Sequence, residues 1–126
     1  MSLVIDSLEG FPQEVVFSRE QPGGPLTSEE FESGPKVICD PNRQIVVEFE
    51  LPDNTTIKFS NGKKTTGNSF SKPLSGSTLL VKWQLVSDEI LNDVGISIVV
   101  KVYYADIPEI SDSDSTSIIL KKEEGN

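Results

Sequence analysis

QIVVEFEL, residues 44–51, alternates: Ile45, Val47, Phe49 and Leu51 fall on one side of an extended chain, Glu48 and Glu50 on the other. Successive side chains of a strand point to opposite faces, so this pattern describes a strand with one face in a core and one in water. The turn-forming residues Pro52, Asp53 and Asn54 follow. TTIKFS, residues 55–60, then repeats the pattern with Ile57 and Phe59 inward and Lys58 outward. Outward glutamates beside an outward lysine predict that the two segments pair as a hairpin, because cross-strand ion pairs favour that register.

The same texture extends downstream. Asn61-Gly62 is a strong hairpin signal, returning the chain through the polar KKTTGNSFSK (63–72), which reads as an edge strand. TLLVKWQLV (78–86) places Leu79, Val81, Trp83 and Leu85 on one face. ISIVVKVYYA (96–105) does so with Ile96, Ile98, Val100, Val102 and Tyr104. An acidic connector, DIPEISDSDS (106–115), leads to a last strand, SIILKK (117–122). With VVFS (15–18) and the weaker KVICD (36–40), seven to eight strands and no long helix predict an all-β, two-sheet antiparallel sandwich of jelly-roll or Greek-key type.

Residues 1–35 differ in texture and are expected to form a partly flexible N-terminal arm and loop, leaving 36–126 as the sandwich domain. EQPGGPLTSEEFESGP (20–35) is rich in Gly, Pro, Ser and Glu. Within it Thr27 and Glu30 have capping-box spacing, which predicts one helical turn over 27–33.

The 126 residues contain no histidine and one cysteine, Cys39. Histidine is the usual general base near neutral pH, and zinc sites are built mainly from His and Cys. A Ser-His-Asp triad is therefore excluded, and the chain has neither a phosphate-binding glycine loop nor a dinucleotide fingerprint. A non-catalytic domain without cofactor is expected, with Cys39 as an inert buried thiol. The formal charge of −9 argues against nucleic acid and against direct contact with anionic lipid. No signal peptide or membrane-length apolar run is visible, and a lone cysteine cannot form an internal disulfide, so a cytoplasmic protein is expected.

Two sets of residues are candidates for binding. Tyr103 lies on the less apolar face of its strand beside Lys101 and Val99, and is the expected anchor for a protein partner. Lys72, with Lys58, Lys63 and Lys64, would add a small basic patch. The alternative is calcium: Asp88, Asp93, Asp106, Asp112 and Asp114 could converge at one end of the sandwich and supply carboxylate oxygens. That would make a calcium- or lipid-dependent peripheral membrane module. A further alternative is a structural sandwich in a virion or surface assembly.

One segment carries a family resemblance. In SGSTLLVKWQLVSDEILNDVGISIVVKVYY (75–104), Ser75-Gly76, Trp83, Ser87-Asp88 and Asp93-Val94-Gly95, followed by Ile96, Ile98 and Val100, resemble the characteristic segment of Golgi-dynamics (GOLD) domains. The resemblance implies a β-sandwich acting as a protein-interaction adaptor in membrane traffic. It would be Golgi-associated, with any membrane attachment made indirectly through the partner or another domain.

Overall fold

In the computed structural model, the described residues are 2–8, 10–19, 21–51, 55–59, 69–73, 81–87 and 94–122, with backbone alone for 69–73. They form strands and connections with no helix. The strands are β1 (Leu3–Ser7), β2 (Glu14–Arg19), β3 (Leu26–Ser28), β4 (Phe31–Ser33), β5 (Lys36–Cys39), β6 (Gln44–Glu50), β7 (Thr55–Phe59), β8 (Ser69–Pro73), β9 (Val81–Ser87), β10 (Val94–Tyr104) and β11 (Ser111–Lys122).

The fold is all-β and of sandwich type. One long sheet runs in the order β4-β9-β3-β2-β11-β10-β6-β8, with β7 on β9, while β1 and β5 pair separately. This sheet curls until its two halves face each other. Ring contacts mark the closure: Phe49 of β6 lies 5.8 Å from Trp83 of β9, and Phe11 bridges them at 6.1 and 6.0 Å. Val15 and Phe17 of β2, between the halves, are fully buried. The alternation read from sequence survives in the core, where Ile45, Val47, Phe49, Ile57, Val81, Trp83, Leu85, Ile98, Val100, Val102 and Tyr104 are all buried.

Several expectations are corrected. β6 and β7 do not form a hairpin: β6 pairs with β8 and β10, and β7 with β9. Their apolar faces meet across the core instead, with the Phe49 and Phe59 rings 6.0 Å apart. Facing each other buries both apolar sides against a partner, a larger gain than a few exposed ion pairs supply.

The N-terminal third is no separate arm. It contributes β1 to β4, and Leu3, Ile5, Phe11, Val15, Phe17 and Leu26 join the core. Its QPGG segment is a tight turn rather than a long loop: Gly24 N–H donates to the Gln21 carbonyl (3.0 Å), Pro22 occupies the second position and Gly23 has φ 78°. Proline followed by a positive-φ glycine is the signature of a type II turn, and it joins β2 to β3.

The predicted helical turn over 27–33 is replaced by β3 and β4, two short segments that pair with the same edge of β9. The Ser28 hydroxyl does not cap a helix; it accepts the Leu85 N–H at 2.9 Å and donates to the Glu29 carbonyl at 2.7 Å. The acidic connector is also shorter than read. β11 starts at Ser111 and pairs with β10 through ten successive positions, from Tyr103↔Ser111 to Val94↔Leu120. Gly95 lies inside that ladder opposite Ile119.

Candidate interaction surfaces

Tyr103, Lys101 and Val99 form one row on the outer side of β10. Across the ladder stand Val46, Glu48 and Glu50 of β6, and on the other flank Ser111, Ser113 and Ser115 of β11. The Tyr103 hydroxyl donates to Glu48 Oε1 at 2.8 Å, and Lys101 Nζ lies 5.6 Å from the Tyr103 ring centroid. Partial burial, and then the Glu48 carboxylate, push the phenol above its ordinary value. Both the polar tip and one face of the ring are thus engaged within the chain. Val99 is half-buried. Lys72 pairs opposite Ile45, one residue out of phase with the Val46–Glu48–Glu50 row, and its side chain lies outside the described residues.

The acidic candidates divide differently. Asp88 and Asp93 lie outside the described residues. Asp106 is bonded to the Arg43 guanidinium, which holds its carboxyl below the ordinary aspartate value. The same guanidinium approaches Asp40 at 3.9 Å and sits 4.4 Å from the Tyr104 ring centroid. Asp112 Oδ2 accepts the Ile5 N–H at 2.8 Å, fixing β1 against β11. Asp114 Oδ1 accepts the N–H of Ser115 at 2.8 Å. Among the described residues, no three acidic or thiol side chains come together in a manner that would hold a metal ion.

Tyr104 anchors that end of the molecule. Its ring is fully buried, while its hydroxyl donates to the Ser2 carbonyl at 2.6 Å and accepts the Asp40 N–H at 2.9 Å. Cys39, next to Asp40, is partly buried, and burial followed by the Asp40 charge raises its thiol above the ordinary value. A raised thiol is a poor nucleophile near neutrality.

A surface that sequence reading did not anticipate lies across β2, β3 and β9. An open groove of about 560 Å³ is lined by Val16 and Ser18 of β2, Thr27 of β3, Gln84 of β9, and the Ser28–Glu30 step. It forms where β3 gives way to β4, because Glu29 and Glu30 take no place in the β9 ladder. The interruption is braced by side chains: Gln84 Nε2 donates to the Ser28 carbonyl at 2.9 Å, alongside the Leu85 N–H to Ser28 Oγ bond. Val16 is 47% exposed at the mouth of the groove. Ile119, 43% exposed, lies diagonally from Val16 across the β2–β11 ladder, beside the Glu14–Lys121 ion pair at 2.9 Å. The sequence signal was the Thr27–Glu30 spacing. It marks a break in regular structure, but in a broken strand and not at a helix start.

No protein-family model matches the chain, and no curated protein sequence does. Among solved structures, the N-terminal domain of PorA is similar over 99% of this chain and 98% of that one, with TM-score 0.51 and 11% identity. The ASH/PapD-like domain 7 of human CEP192 aligns over 92% and 84% of the two chains, with TM-score 0.44 and 12% identity. The periplasmic chaperone SfaE aligns over 89% of this chain and 55% of its own, with TM-score 0.38 and 10% identity. At such identity the PorA similarity speaks for the shared sandwich fold alone.

Proposed function

We propose that this chain is a non-catalytic protein-binding module that takes its partner on the outer side of the β2–β3–β9 layer. The observation that carries the reading is the open groove beside Val16 and Ile119, two large apolar side chains left nearly half exposed on neighbouring strands. Exposed apolar surface rimmed by polar groups is the usual mark of a protein interaction site. The Tyr103 row is the second surface of the same kind, with its aromatic already bonded to Glu48. The GOLD resemblance of residues 75–104 would extend this role to that of an adaptor in membrane traffic.

The test is site-specific photocrosslinking in host-cell extract, with a benzophenone amino acid placed at position 16 in one sample and at 103 in another. A discrete protein adduct at position 16, reduced by excess unlabelled chain, supports the reading. An adduct at position 103 alone moves the site to the Tyr103 row. No competed adduct at either position overturns a protein-binding role.

A further inference from the structure

We infer that the groove at the β3–β4 break accepts an extended protein segment bearing a basic residue next to an apolar one. This rests on the protein-binding reading above and names the kind of partner. Three features converge. First, Glu29 and Glu30 are exposed, and neither carboxylate has an ion-pair or hydrogen-bond partner among the described residues. Several other acidic groups are already engaged, Glu14 by Lys121, Asp106 by Arg43 and Glu48 by Tyr103, while Glu32, Glu50 and Glu109 stand outside the groove lining.

Second, the apolar contribution lies in the same groove. Val16 lines it and Ile119 extends it, so a segment with a cation over Glu29 and Glu30 would set a neighbouring apolar side chain on Val16. Third, the remaining lining is polar but uncharged, with Ser18, Thr27 and Gln84 offering hydroxyl and amide groups for hydrogen bonds to an extended backbone. Lysines border the groove without lining it: Lys58 pairs opposite Gln84, Lys82 opposite Glu32, and Lys121 opposite Val16, the last held by Glu14. Negative charge within the groove therefore comes from the two glutamates. An acidic segment would meet them without a counter-ion, and a wholly apolar one would leave them against a dry neighbour, both unfavourable.

The experiment is a titration of the ¹⁵N-labelled full chain with two capped synthetic pentapeptides, SRVRS and SEVES, followed by amide chemical shifts. The variants are Glu29→Gln with Glu30→Gln, and as a control Asp6→Asn with Glu109→Gln, which removes the same charge elsewhere. SRVRS is expected to shift the amides of Val16, Thr27 and Gln84, and the groove variant to weaken binding about fivefold or more. The control should stay within about twofold, and SEVES should give no shift at those amides. Equal weakening in both variants would mean diffuse attraction to a −9 chain and would overturn the inference, as would shifts centred elsewhere or equal binding of SEVES. A crosslinked partner at position 16 with no SRVRS response would retire this inference and leave the protein-binding reading in place.

Discussion

At the scale of single residues, Trp83 is a central contact between the two layers. It is 1% exposed, packs its ring against Phe11, Phe31 and Phe49, and donates its indole N–H to Ser33 Oγ at 3.0 Å. Trp83→Ala should cost about 3–5 kcal/mol, since a large cavity opens between layers that cannot close on it. Urea unfolding followed by far-ultraviolet circular dichroism gives the value, and a loss below about 1 kcal/mol would show that the ring is not a core element. The inward position of Trp83 was legible from Leu79, Val81 and Leu85 around it. Its hydrogen-bond partner was not, because Ser33 comes from a segment that reads as loop by composition. The same limit applied to Ser28, whose hydroxyl serves a strand fifty-seven positions away. Local spacing cannot distinguish that use from a helix cap.

Strand by strand, β11 shows how alternation can mislead. Its second half reads plainly, with Ile118 and Leu120 buried. In the first half, Asp112, Asp114 and Thr116 occupy the positions opposite Val102, Val100 and Ile98, on the core-facing side of the ladder. Carboxylates there resemble a connector in sequence, yet the backbone is strand throughout. The geometry supplies the reason: β2 pairs with β11 only from Ile119 onward, so residues 111–118 have no backbone ladder on that flank among the described residues. Charge on the core-side row of a flank without a backbone ladder, exposed at Asp114, discourages another chain from adding a strand. Asp114→Val should therefore promote self-association, read as a concentration-dependent rise in sedimentation coefficient. An unchanged monomer at the highest concentration measured would remove this protective role. The misread β6–β7 hairpin has a related cause, since alternation tells which side of a strand is apolar and leaves open whether the next strand lies beside it or across from it.

For the molecule as a whole, the sandwich class was legible in sequence and the unity of the chain was not. Residues 3–33 look like an arm because proline, glycine and glutamate interrupt them, yet their strands occupy central places: β3 and β4 complete one side of β9, and β2 joins that layer to β11. A fragment of residues 36–126 would lose those partners together with Phe11, Val15, Phe17 and Leu26 from the core. It should show no cooperative thermal transition, and a sharp calorimetric peak from that fragment would restore the two-part organisation. The interaction groove was hidden for the same reason, because it is assembled from β2, β3 and β9, elements that only the closed sheet brings together. The parallel register of β2 and β11, from Glu14↔Ile119 to Phe17↔Lys122, has a mechanical meaning as well. Tension pulling β2 toward its beginning and β11 toward its end would drag the two strands past each other lengthwise. Their hydrogen bonds would then share the load at once instead of opening one by one, and the clasp between them would resist stretching as a shear joint.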